Sequence, residues 1–125
     1  MLLFSASLLV AIGLVHSYLG ERYILIRLFR RDNIPKTMGS SEFTRRTLRF
    51  AWHLTTVCWF GFAAILISLS KSGLDRLAIL DIIAATFLLH FLVAISGSKG
   101  KHFSWVVFLL VGFATLYAAN QSLFY

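Results

Sequence analysis

Residues 50–70 read FAWHLTTVCWFGFAAILISLS, a run with no Lys, Arg, Asp or Glu. At 1.5 Å rise per residue, ~20 residues of helix cover the ~30 Å hydrocarbon core of a bilayer. Outward from it lie three more such runs, at 1–20, 82–98 and 103–125, the third reaching back to Leu77 if Asp81 is taken inside it. The pattern predicts an all-α integral membrane protein, a four-transmembrane-helix antiparallel bundle forming a single membrane domain over 1–125. Its helices are expected at about 1–20, 42–70, 74–96 and 102–123, with a basic, partly helical connection over 21–41.

Composition agrees. Of 125 residues, 58% are hydrophobic and 14% charged, with a mean hydropathy of +0.80. Soluble chains average ~45–50% apolar and ~25% charged residues, which excludes an ordinary soluble domain. The first run has no Lys or Arg ahead of it and no small-residue cleavage pattern before Glu21, so it reads as a retained helix. Cys58 is the single cysteine and falls inside the second run, where one thiol is a packing residue.

The breaks carry local signals. Ser40 or Ser41 is placed to cap the second helix, with Glu42 in its positive first turn. Lys71-Ser72-Gly73 reads as its end, and Ser72 to Asp75 has capping-box spacing for the third helix. Gly97, Ser98 and Gly100 punctuate the passage to the fourth, which His102 opens.

Orientation follows from the twelve Lys and Arg. Arg22, Arg27, Arg30, Arg31, Lys36, Arg45, Arg46 and Arg49 lie between helices one and two, and Lys99 and Lys101 between three and four. Only Lys71 and Arg76 lie on the other side. Short basic loops resist translocation, so the 21–49 connection is expected in the cytoplasm and both termini on the non-cytoplasmic side. Trp52 and Trp105, and at the other surface Tyr117 and Tyr125, suit the headgroup zone.

Within the connection, Ile24, Leu25, Leu28 and Phe29 gather on one side of a helical wheel and Arg27, Arg30 and Arg31 on the other. This suits an interfacial helix or an extension of helix one, ended by the turn Asp32-Asn33-Ile34-Pro35. The arginines are expected to set topology and grip anionic lipid. A sharper reading makes Arg45, Arg46 and Arg49 a site for an anionic headgroup or substrate, since Arg46, Arg49, His53, Thr56 and Phe60 form one stripe down helix two. Nucleic acid is not an expected partner, because the segment is short and offers few aromatic faces for bases.

With the helices oriented, His16, His53, His90 and His102 all fall at the basic side, one per helix. Membrane bundles build metal and cofactor sites from side chains at a common depth, and imidazole is the commonest metal ligand. His16, Glu21, His53 and His90 are therefore candidate ligands for zinc or iron. Haem would need an opposed pair, His53 and His90, the latter with Ala94 and Gly97 on its face. Neither HExxH nor Cys-based spacing is present, and histidine near headgroups also serves as a simple hydrogen-bonding residue. Such a site would serve metal handling, electron transfer or metal-assisted chemistry.

Two other functions compete. One is a non-catalytic accessory or assembly subunit in a homo-oligomer or larger membrane complex. The other is a small oligomeric transporter or channel with Asp81 and His90 as polar steps. Nine residues separate these two, which turns an unkinked helix by about 180° and points them apart.

Overall fold

The computed structural model describes residues 1–121 and their side chains, except that of Ser72. Tyr125 and the last residues of the fourth expected helix lie outside the described residues. Four helices are long and apolar enough to cross a membrane: α1 (Leu2–Leu28), α2 (Ser41–Ser72), α3 (Arg76–Ser98) and α4 (Ser104–Gln121). This is the architecture of a multi-pass membrane protein.

The first helix does not stop near residue 20. Over Gly20–Leu25 it widens into a π-helical turn, and the Ile26 N–H reaches back five residues to the Glu21 carbonyl. It then regains α geometry through Leu28, so the first part of the basic connection extends helix one. Its remainder folds onto the start of α2. The Thr44 hydroxyl donates to the Pro35 carbonyl at 2.8 Å and accepts from the Thr37 N–H at 3.2 Å.

Helix ends follow side-chain capping. The Phe43 N–H donates to Ser40 Oγ at 3.2 Å, satisfying one orphan donor of α2. Helix α3 is capped by Asp75 rather than by the expected Ser72: the Ala78 N–H donates to Asp75 Oδ1 at 3.2 Å. Ser72 still belongs to α2, because the chain reverses only at Gly73, whose φ of +74° favours glycine. At its other end α3 runs through Gly97 and Ser98 and closes at Lys99 in the left-handed region. His102 caps α4, its Nδ1 accepting from the Ser104 N–H at 3.3 Å.

Small residues set the packing. A Cβ on Gly13 would lie 2.7 Å from the Phe60 ring, one on Gly97 2.5 Å from Phe50 Cβ, and one on Gly112 2.8 Å from Leu88. Close approach through glycine is how helices associate where lipid tails remove the hydrophobic incentive. These contacts join α1 to α2, α2 to α3, and α3 to α4. Among the described residues, no Cα of α1 comes within 8 Å of α3 or α4, and none of α2 within 8 Å of α4. The helices form a row and do not close into a ring.

The row is folded. Around α2, the residues meeting α1 (Arg49, His53, Thr56, Phe60) and those meeting α3 (Phe50, Gly61) lie about 100° apart on the helix. Around α3, the residues meeting α2 (Thr86, Gly97) and those meeting α4 (Phe87, Leu88, Phe91) are separated by a wider angle, about 140°. The two bends run in opposite senses. One groove therefore opens over α2 between α1 and α3, and another on the opposite face over α3 between α2 and α4.

Candidate functional site at the crossing of α1 and α2

On α1, Gly13, Ser17 and Glu21 recur at i, i+4 and i+8; on α2, Arg49, His53 and Thr56 recur at i, i+4 and i+7. These spacings put each set on one helix face. Where the faces meet, they form one hydrogen-bonded chain.

His53 stands at its centre. Its Nε2 lies 3.3 Å from Glu21 Oε2 and its Nδ1 2.6 Å from Ser17 Oγ. A carboxylate only accepts, so Nε2 carries the proton of the neutral ring and Nδ1 accepts from the Ser17 hydroxyl. Thr56, 6% exposed, places Oγ1 3.2 Å from Ser17 Oγ and 3.3 Å from the Gly13 carbonyl. At the outer end Arg49 donates to both carboxylate oxygens, Nη2 to Oε1 at 3.0 Å and Nε to Oε2 at 3.2 Å. Donation runs Thr56 to Ser17 to His53 to Glu21, and Arg49 secures the carboxylate. The chain descends from the charged surface about two helical turns into the apolar span.

His16 lies across the same contact, facing away from this chain. Its ring stacks on Trp52 at 4.5 Å between centroids and 2° between planes, with Trp59 edge-on at 5.0 Å. The bonding is reciprocal: the Trp52 indole N–H donates to the His16 carbonyl at 3.1 Å, and His16 Nε2 donates to the Trp52 carbonyl at 3.3 Å. The indole also lies against Gly20, where any Cβ would collide with it. The π turn begins at this glycine and contains Glu21; π turns inside α-helices often mark functional positions.

A recess of about 370 Å³ opens beside His53 in the first groove, lined by Glu42, Arg46, Arg49, Phe50 and His53 of α2 and Val93 and Gly97 of α3. A second recess shares Glu42 and Arg46 with it and adds Lys99 and Lys101 from the α3–α4 turn. Arg46 is paired with Glu42 at 2.6 Å and Arg49 with Glu21. Counting Arg46, Arg49, Lys99 and Lys101 against Glu21 and Glu42 leaves a net charge of +2 over the two recesses. Arg45 lies elsewhere, donating to the Arg31 carbonyl at 3.3 Å and bracing the segment that follows α1.

Of the four residues expected as metal ligands, the structure joins only Glu21 and His53. His16 is engaged with the tryptophans. His90, 8% exposed, donates from Nδ1 to the Thr86 carbonyl at 2.8 Å and packs on Phe87 and Phe108 in the second groove. Among the described residues, no three His, Cys, Asp or Glu side chains are placed to hold one metal ion. The Glu21–His53 pair is itself a poor cation site, because the Arg49 guanidinium already holds both carboxylate oxygens. Nor do His53 and His90 fit a shared haem, since they face opposite grooves. Asp81 is exposed on α3 and has no hydrogen bond or ion pair among the described residues, whereas His90 is buried. The two side chains lie on opposite sides of α3. His102 packs against Phe43 and Phe50 while capping α4.

Sequence reasoning missed Ser17, Gly20 and the role of Trp52. The signal available was the i, i+4 pairing of Ser17 with Glu21 beside that of Arg49 with His53. The sequence matches no family model, no curated protein and no solved structure.

Proposed function

We propose that this protein binds an anionic amphiphile of the bilayer in the groove over α2, and that His53 acts there as an acid–base group. In this reading the basic connection faces the cytoplasm, both termini face the other side, and neighbouring helices run antiparallel, as the ten-to-two distribution of Lys and Arg favours. The carrying observation is the juxtaposition of the basic recesses with the Ser17–His53–Glu21 chain at one end of the groove. The head of the amphiphile rests on Arg46, Arg49, Lys99 and Lys101. Guanidinium groups grip phosphate and carboxylate through paired hydrogen bonds, and Arg46 and Arg49 each retain N–H groups beyond those given to Glu42 and Glu21. The tail lies along the apolar continuation of the groove, where Phe60 and Ile67 of α2 are exposed.

Native mass spectrometry tests this on protein extracted from phosphatidylcholine vesicles doped with phosphatidylglycerol. The wild type should retain the anionic lipid in preference to phosphatidylcholine, and an Arg46→Gln, Lys101→Gln double variant should lose that preference. Equal retention of both lipids by the wild type would sink the reading.

A second reading, an accessory subunit in a larger complex, is favoured by the open row of helices, which leaves the outer faces of α1 and α4 unpartnered by protein among the described residues.

A further inference from the structure

We propose that Ser17 is a nucleophile and that Ser17, His53 and Glu21 together cleave a carboxylic ester of the amphiphile held in this groove. The inference rests on the amphiphile reading and adds the reacting bond.

Three observations carry it. First, the hydrogen-bond directions leave one assignment for the neutral ring: Glu21 takes the proton side of His53, so the other nitrogen faces the Ser17 hydroxyl at 2.6 Å. That is the arrangement in which imidazole removes a proton from a serine and a carboxylate steadies the resulting imidazolium. Second, Arg49 bonds both oxygens of Glu21, which holds the carboxylate in position beside His53. Third, depth matches chemistry. Ser17 lies one turn, about 6 Å, inward of Glu21 along α1, and His53 one turn inward of Arg49 along α2. In a glycerolipid the ester groups lie just inward of the phosphate, so a phosphate on Arg46 and Arg49 brings an ester carbonyl to the level of Ser17.

The step balances without a redox partner. Ser17 Oγ bonds to the ester carbonyl carbon as His53 Nδ1 takes the hydroxyl proton; the ester C–O bond then breaks, and the leaving alcohol takes that proton from Nδ1. Water from the membrane surface attacks the acyl-Ser17 ester, gives a proton to His53, and the carboxylic acid departs as the proton returns to Ser17 Oγ. Ser17 is half-buried, and His53, which its hydroxyl touches, lines the recess.

An alkyl fluorophosphonate probe, applied to the full-length protein in mild detergent, tests this. Peptide mass spectrometry should place the label on Ser17, with at least tenfold less in His53→Gln and none after heat denaturation. Absence of label at Ser17, or equal labelling in His53→Gln, overturns the proposal. A second measurement does not depend on the hydroxyl: in a Cys58→Ala background, Ser17→Cys should be alkylated by iodoacetamide at pH 7 roughly tenfold faster than the same variant carrying His53→Gln, because a neighbouring imidazole raises the thiolate fraction. Equal rates overturn it too. Protein that retains phosphatidylglycerol yet fails both tests keeps its binding groove and loses its nucleophile; loss of lipid retention by the wild type removes the binding reading itself.

Discussion

At the scale of single residues, the crossing of α1 and α2 rests on groups that bond across a contact with little room. Gly20 is the clearest case. An added methyl would meet the Trp52 indole, so Gly20→Ala should separate the helices or expel the ring, at ~1–3 kcal/mol. Its melting temperature in detergent should fall, and Trp52 fluorescence should shift to the red. Trp52→Phe is a milder probe. It keeps an aromatic face for His16 but removes the indole donor to the His16 carbonyl, at a cost of ~1 kcal/mol. A melting temperature unchanged in Trp52→Phe would mean that this hydrogen bond contributes nothing to the crossing.

At the scale of elements, the basic end is organised by caps and by one threonine. Ser40→Ala removes the acceptor for the Phe43 N–H and should cost ~1 kcal/mol, fraying the first turn of α2 where Glu42 and Arg46 sit. Thr44→Val removes both bonds that hold 35–37 against α2. That segment should then be cut by protease at least several-fold faster while the spans stay protected; an unchanged cleavage rate would show that other contacts hold it. The sequence announced the cap and the turn at Pro35 through local chemistry. It did not announce the π turn, because nothing in GERYIL breaks a helix, and the widening appears where Trp52 of another helix packs on Gly20.

At the scale of the whole molecule, the open row makes a prediction about which helices meet. In a Cys58→Ala background, cysteines at Phe91 and Trp105, whose rings lie 6.2 Å apart, should cross-link within one chain. Cysteines at Val10 and Phe113, on α1 and α4, should not; an intramolecular link between them would mean that the row closes. In water such an arrangement would leave apolar faces to be covered. In a bilayer the lipid covers them, and short connections are enough to keep sequence neighbours side by side.

Runs of apolar residues and the placement of Lys and Arg determined by themselves that four helices of membrane length exist and which end is basic, because helix length and charge are read against the bilayer and need no partner. Which polar residues share a site was decided only by the tertiary structure. In an apolar solvent every face of a helix can be greasy, so hydropathy does not reveal which way His16, His53 and His90 turn. Glycine contacts and the opposite bends at α2 and α3 settle it, giving His53 to Ser17 and Glu21, His16 to Trp52, and His90 to the other groove.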